Sequence, residues 1–153
     1  SEFNAWCDPE ALDAVLAAEI PTEMIGLDVT RHFQLNSEDV AALAEAPDEV
    51  AHWLHEALRF YVEFHRRVEH LDGCVVNDPL AIIAVFRPDL FHYEAAHLVV
   101  DCAAEGEERG HTREDEHGAR ALITTRVDAE AAKALLADRV LPWLKTHTPT
   151  VLT

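Results

Sequence analysis

The apolar residues between Asp48 and Gly73 recur every three or four positions, and this repeat constrains the fold more than any other feature of the sequence. Such spacing aligns side chains along one face of an α-helix. The repeating positions are Val50, Trp53, Leu54, Ala57, Leu58, Tyr61, Phe64, Val68 and Leu71. Asp48 is a common N-cap residue and Gly73 a common helix end. The sequence therefore predicts a long amphipathic helix that other elements must cover.

Further helices and a hairpin are predicted around it. Asp8-Pro9 starts one helix and Asn36-Ser37 caps another, because side-chain oxygens of Asp and Asn accept hydrogen bonds from a first helical turn. Asp128 caps a last helix in the same way. Residues 91–103 and 119–127 are rich in β-branched and apolar residues and could form a hairpin with a long, charged loop.

Two more segments complete the pattern. Residues 23–29 read as a strand, and Asn77-Asp78-Pro79 opens a helix that must stop by Arg87-Pro88. That helix is apolar on every side through Ile82-Ile83-Ala84-Val85-Phe86, so we expect it to be buried. The alternation of helices and strands predicts an α/β domain.

The excess of acidic residues restricts the molecules that this protein could bind. Lys and Arg total 12 against 29 Asp and Glu, and the net charge of −17 disfavours binding to nucleic acid and to anionic membrane surfaces. The longest apolar run is far shorter than the ~20 residues of a membrane helix. Three widely spaced cysteines favour a reducing compartment. We expect a soluble cytoplasmic protein with one domain at residues 1–145 and a tail at residues 146–153.

One metal site can be considered from spacing alone. His52, His55 and Glu56 lie within one and a half turns of the long helix and could bind a divalent metal. Their order differs from the helical zinc signatures, which favours a solvated helix face. The acidic segment at residues 105–116 lacks the spacing of a calcium loop and is interpreted as solvated.

Two other groups could bind a small molecule. Asp78 could cap its helix with one carboxylate oxygen and offer the other to a cation or a sugar hydroxyl. Glu2-Phe3-Asn4 places a carboxylate and an amide on either side of an aromatic ring, which suits a polyhydroxylated ligand. The chain has no Gly-rich phosphate loop and no Gly-x-Ser-x-Gly motif, which disfavours P-loop kinases and the usual serine hydrolases.

Three strings carry a more specific signal. They are Glu2-Phe3-Asn4-Ala5-Trp6-Cys7-Asp8-Pro9-Glu10-Ala11, Leu27-Asp28-Val29-Thr30 and Asn77-Asp78-Pro79-Leu80-Ala81. In content, order and spacing they resemble the second half of an inosine-uridine-preferring nucleoside hydrolase. Arg109-Gly110-His111-Thr112 followed by Val127-Asp128 resembles the C-terminal hairpin and last helix of that family.

The resemblance implies an open, mostly parallel sheet flanked by helices. It also implies a salvage hydrolase that cleaves the N-glycosidic bond of ribonucleosides with a calcium-activated water. Asp78 would be a calcium ligand, and Glu2, Phe3 and Asn4 would contact the ribose. Tyr61 and His65 would border the nucleobase.

Asn77 departs from the family pattern, because many members have a histidine there that is taken to be the leaving-group acid. An amide has no proton to give at neutral pH, which disfavours pyrimidine release. A purine leaving group activated by stacking, a different acid such as His65, and loss of activity are all compatible with Asn77. The family's Asp-rich N-terminal motif, which supplies most calcium ligands and the general base, has no counterpart in this sequence.

We therefore predict the C-terminal part of a nucleoside N-ribohydrolase, inactive alone, whose remaining calcium ligands lie in the missing N-terminal half. The alternative is a noncatalytic nucleoside-binding or assembly domain derived from the same fold. Half of such a sheet would expose a strand edge and an apolar face. We expect a homo-oligomer or pairing with the N-terminal half.

Overall fold

The computed structural model describes residues 1–146, with the side chains of residues 1–139. Seven α-helices lie in this part: α1 (Phe3–Cys7), α2 (Pro9–Ala17), α3 (Leu27–Thr30), α4 (Ser37–Ala44), α5 (Glu49–Val68), α6 (Asn77–Phe86) and α7 (Ala129–Thr146). Six strands accompany them: β1 (Glu23–Met24), β2 (Gln34–Asn36), β3 (Gly73–Val75), β4 (Phe91–Val100), β5 (Thr112–Glu114) and β6 (Ala119–Val127). Apart from Thr146, the predicted tail lies outside the described residues.

The chain forms two compact units. Unit 1 contains Ser1–Val29 and Phe91–Val127, and unit 2 contains Thr30–Leu90 and the segment that begins at Asp128. Among the described residues, no helix has both the length and the apolar character needed to cross a membrane.

Unit 1 is built on a four-stranded sheet in the order β1-β6-β4-β5. The predicted hairpin is confirmed: β4 and β6 pair antiparallel from Phe91 opposite Val127 to Leu98 opposite Ala119. The charged loop between them contributes β5, which extends the sheet beyond β4. Helix α2 packs on the sheet through Leu16, which joins Leu98 and neighbouring apolar side chains in the core.

Unit 2 combines helices with a two-stranded antiparallel sheet of β2 and β3. Helices α4 and α5 pack together, and Val40, Val62 and Cys74 form a core between α4, α5 and β3. A second cluster of Leu43, Ala46 and Ala51 lies near the start of α5. Helix α6 contacts α7 within the same unit.

The predicted helix starts are confirmed by their hydrogen bonds. Asp8 accepts a hydrogen bond from the backbone N–H of α2, and Asp128 does the same for α7. Asn36 caps α4 in a reciprocal arrangement with Asp39. Asp48 caps α5 through two backbone N–H groups.

Two elements end earlier than predicted. Helix α5 ends at Val68, because His70 takes a positive φ of 57° that a continuing helix does not allow. Gly73 instead begins β3, where a Cβ would lie 2.7 Å from the Leu35 carbonyl oxygen. The strand predicted at residues 23–29 is only β1, because the Val29 N–H donates to the Gly26 carbonyl and starts a helical turn.

The α/β class is confirmed, but the sheets are mixed rather than mostly parallel. Of the four strand pairings in the described residues, only β1 with β6 is parallel. The largest pairing joins two strands that follow each other as a hairpin, and a hairpin is antiparallel. Helix α6 is also less buried than predicted, since Ile82, Val85 and Phe86 are exposed while Leu80 and Ile83 are buried.

Candidate functional site

The second half of α5 and the first turn of α6 carry four of the predicted site residues, all in unit 2. Tyr61 and His65 lie one turn apart on α5, as predicted. Strand β3 packs on α5 and leads into α6, which begins with Asn77 and Asp78. The backbone N–H of Val76 donates to the Phe33 carbonyl oxygen and fixes the entry into that helix.

His65 is held in one orientation. Its side chain is buried, and the residue is only 4% exposed. Nδ1 lies 2.9 Å from the Tyr61 carbonyl oxygen. Because a carbonyl oxygen only accepts, Nδ1 carries the hydrogen. Nε2 lies on the other side of the ring, 4.0 Å from the Glu69 carboxylate.

Three aromatic rings meet at this point of α5. Tyr61 stacks with Phe64 at a centroid distance of 6.4 Å, and the His65 ring meets the Tyr61 ring edge-on at 4.3 Å. Tyr61 and Phe64 remain partly exposed, so their surfaces can contact a flat ligand. Phe64 was not among the predicted site residues, although its position three residues after Tyr61 in the apolar repeat is a usable signal.

Tyr61 is kept in its neutral form. Partial burial raises the pKa of its phenol above the ordinary value of a tyrosine. The nearby acidic groups of Cys74, Glu69 and Asp78 raise that pKa further. The phenol therefore stays a hydrogen-bond donor at neutral pH, and Asp78 lies within electrostatic reach of it.

Asn77 and Asp78 have polar atoms that the described residues leave unpaired. The Asn77 Oδ1 atom is buried without a hydrogen-bond partner in this part of the chain. The expectation that Asp78 caps its helix is wrong: Val76 occupies the N-cap position without a side-chain hydrogen bond, and Asp78 lies inside the first turn. Both carboxylate oxygens of Asp78 are therefore free of a capping role.

The described residues do not form a complete calcium site. The Asp78 carboxylate and the Asn77 amide oxygen are hard oxygen donors of the type calcium prefers, but calcium takes about six to eight oxygens. Among the described residues, no three His, Cys, Asp or Glu side chains are grouped so that they could hold a metal ion. Asp78 and Asn77 together offer fewer oxygens than a calcium ion takes.

The proposed alternative around His55 and Glu56 has a different arrangement. Glu56 is bound by Arg59 at 2.6 Å, and that hydrogen bond lowers the pKa of its carboxyl. His55 Nδ1 lies 3.3 Å from the other Glu56 oxygen, and His52 is exposed. The contacts are those of a surface ion-pair network on α5.

The remaining predicted residues lie in unit 1, on a helix that the sequence analysis did not predict. Glu2 caps α1, since one of its carboxylate oxygens accepts from the Ala5 N–H at 3.0 Å. Phe3 is 71% exposed and its ring stacks with that of Trp6 at 6.3 Å. Asn4 is also exposed. These three residues therefore form one short polar and aromatic surface.

Comparisons with known proteins find sequence similarity to nucleoside hydrolases. A family model described as "Inosine-uridine preferring nucleoside hydrolase" matches residues 1–149. The pyrimidine-specific ribonucleoside hydrolase RihA of Shewanella woodyi is 32% identical over 144 residues, which cover 90% of this chain and 46% of that protein. Uridine nucleosidase 1 of Arabidopsis thaliana is 29% identical over 116 residues, which cover 76% of this chain and 34% of that protein.

Solved structures agree with the sequence matches. A purine-preferring ribonucleoside hydrolase from Gardnerella vaginalis superposes with a TM-score of 0.81 at 26% identity, covering 91% of this chain and 45% of that one. A plant nucleoside hydrolase gives a TM-score of 0.83 at 22% identity, covering 91% of this chain and 47% of that one. The chain thus spans about half the length, or less, of the relatives it matches.

Proposed function

Because the chain belongs to the inosine-uridine preferring nucleoside hydrolase family, we propose that it is the C-terminal part of a ribonucleoside N-ribohydrolase. The reaction would split a ribonucleoside into ribose and free base. The observation that carries the proposal is the first turn of α6, where Asn77 Oδ1 is buried without a hydrogen-bond partner among the described residues and the charge of Asp78 acts on Tyr61 of α5. The family match over almost the whole chain supports the same assignment.

The proposed roles follow from the charge that develops in the reaction. Cleavage of a glycosidic bond passes through an oxocarbenium-like transition state, which fixed carboxylates and amide oxygens stabilise. Asp78 would supply one oxygen ligand to a calcium ion, which lowers the pKa of a bound water. Glu2 and Asn4 would bind ribose hydroxyls, and Phe3 would pack beside the sugar.

The leaving base is proposed to be a purine. Asn77 cannot donate a proton, so the base must leave without an acid at that position. Tyr61 and Phe64 offer partly exposed rings on which a bicyclic base can stack. His65 is the alternative proton donor, since its imidazole lies one turn from Tyr61 on α5 and its ring meets the Tyr61 ring.

The proposed partners are a small ribonucleoside and a further protein chain or segment. Large apolar side chains remain exposed on α5 and α6, including Trp53, Phe60, Val85 and Phe86. Such a surface supports self-association or pairing with the N-terminal half of the family domain. A cytoplasmic location is supported by the three cysteines, which are all free.

A noncatalytic nucleoside-binding or assembly domain is the second candidate, favoured by Asn77 at the position of an acid. One experiment separates the two: ribose release and equilibrium binding are measured for inosine, guanosine, uridine and cytidine, with calcium and with a chelator, for this chain and for the longer protein of which it would be a part. Both candidates predict that this chain binds purine nucleosides without releasing ribose. The N-ribohydrolase predicts calcium-dependent release by the longer protein, whereas the noncatalytic domain predicts binding without release there too. Calcium-dependent release by this chain would show that the chain or its oligomer completes the site, and failure of both proteins to bind any nucleoside would refute both candidates.

A further inference from the structure

Helix α1, which carries the proposed ribose-binding residues, does not stabilise itself. It has only five residues, and none of them is buried. Isolated helices shorter than about 12 residues are marginal in water, and most helices in proteins are held by an apolar face that packs on a core. The conformation of α1 must therefore depend on contacts from another part of unit 1.

Arg109 supplies the most extensive of these contacts. Its Nε donates to the Trp6 carbonyl oxygen at 3.1 Å, one of the carbonyls that a helix end leaves without a partner. One terminal nitrogen donates to the Glu10 carboxylate at 3.0 Å, and the other donates to the Cys102 carbonyl oxygen at 3.2 Å. A single guanidinium thus joins the end of α1 to the first turn of α2 and to the chain just beyond β4.

Arg109 and Gly110 end a turn formed by residues 106–110, and Gly110 brings this turn against the backbone of α1. Its φ is 72°, in the region that favours glycine, and a Cβ would lie 2.2 Å from the Ala5 carbonyl oxygen. The Trp6 indole N–H donates to the Gly106 carbonyl oxygen at 2.8 Å and holds the other end of the turn. The turn itself is fixed because the Gly110 N–H donates to the Asp101 carbonyl oxygen.

We propose that Arg109 and Gly110 are positioning residues for the ribose site: they hold α1 so that Glu2, Phe3 and Asn4 present their side chains together. The proposal rests on the proposed function for the identity of the ligand, whereas the dependence of α1 on the turn stands on the contacts alone. The guanidinium group is essential, because a lysine ammonium cannot donate to the Trp6 carbonyl, the Glu10 carboxylate and the Cys102 carbonyl at the same time. The missing Cβ is equally essential at Gly110.

Amide hydrogen exchange of this chain tests the positioning without relying on activity. The variants are Arg109→Lys and Gly110→Ala, and the matched control is Arg113→Lys, on β5, where the arginine is exposed and pairs with Asp115. We expect the Trp6 and Asp8 amides to exchange roughly tenfold faster or more in both variants, because Arg109→Lys loses a charge-assisted hydrogen bond and Gly110→Ala places a Cβ against the Ala5 carbonyl. Amides of the β4–β6 hairpin report in the same spectra that unit 1 stays folded. Unchanged exchange in α1 would overturn the positioning.

Inosine binding, followed by the Asn4 side-chain amide signals, tests the link to the ligand. We expect the dissociation constant to rise roughly tenfold in Arg109→Lys and to stay unchanged in Arg113→Lys. Equal binding by all three proteins, together with faster exchange in α1, would overturn the role in the ribose site. If the parent chain fails to bind inosine, the proposed function fails, while the exchange data still decide whether the turn holds α1.

Discussion

Asp78 is the residue on which the proposed chemistry depends most directly. Its carboxylate has no capping role in α6, so both oxygens are available to a cation. In the longer protein of which we propose this chain is a part, Asp78→Ala should lower calcium-dependent ribose release by more than about 100-fold, since loss of outer-shell groups alone costs about 10–100-fold in metal sites. Asp72→Ala removes an exposed carboxylate from the same unit and serves as the control. Retained release in Asp78→Ala would remove this residue from the metal site.

Tyr61 gives a prediction about alkaline pH. Burial and nearby acidic groups raise the pKa of its phenol, so the unfolded chain loses this proton at a lower pH than the folded chain. Folding stability should therefore fall as the pH rises from the ordinary pKa of tyrosine toward the raised value. The phenolate absorbance should appear late in a pH titration, and denaturant unfolding of Tyr61→Phe should show a smaller alkaline loss than that of the parent chain.

Tyr93 provides the comparison for that titration. Burial raises the pKa of its phenol as well, and the charge of Glu23 adds to the effect. Tyr93→Phe should leave the late titration of Tyr61 in place. A Tyr61 phenol that titrates at or below the ordinary value would contradict the electrostatic description of the site.

At the scale of the helices and strands, the N-cap of α5 is a sensitive point. Asp48 is only 6% exposed, and its carboxylate accepts from the N–H groups of Val50 and Ala51 at 2.7 and 3.3 Å. Asp48→Ala should reduce the free energy of unfolding by about 1 to 2 kcal/mol, the usual range for loss of an N-cap. Urea unfolding measures this. Glu45→Ala removes an exposed carboxylate just beyond α4 and should change stability by less than about 0.5 kcal/mol.

The elements that the sequence predicts are those whose signals are local. Asn36 and Asp48 cap helices by accepting hydrogen bonds from backbone N–H groups two or three residues later. A short stretch of sequence is therefore enough to predict these caps. Strand β3 escaped prediction because it is three residues long and is defined by its pairing with β2, more than thirty residues earlier. Helix α1 escaped prediction for the same reason, since Arg109 lies about a hundred residues from it in sequence.

The features of the candidate site also divide into those that the sequence predicts and those that it does not. The Tyr61–His65 pair follows from helical spacing, and the start of α6 follows from the proline after Asp78. The burial of the Asn77 Oδ1 atom and the orientation of His65 depend on packing between α5, β3 and the entry to α6. No pattern in the sequence specifies such contacts.

At the scale of the whole molecule, the exposed apolar face of α6 predicts association. Val85 and Phe86 are 74% and 75% exposed, although α6 is apolar on every side. We expect this chain to form dimers or larger assemblies, as measured by sedimentation, and Val85→Glu combined with Phe86→Glu to shift it to the monomer, because charges on a covered apolar face are strongly unfavourable. Val15→Glu, at an exposed position on α2, should leave the assembly unchanged. A parent chain that stays monomeric would contradict this prediction.

The β4–β6 hairpin leaves unit 2 and returns to it at a single place. Leu90 ends the first segment of unit 2 and Asp128 begins the next, and the Asp128 N–H donates to the Leu90 carbonyl oxygen at 2.9 Å. The two ends of the hairpin segment are thus joined by one hydrogen bond within unit 2. A change in the length of the hairpin leaves this bond in place, but β1 and α2, which pair with and pack on the same strands, must accommodate it.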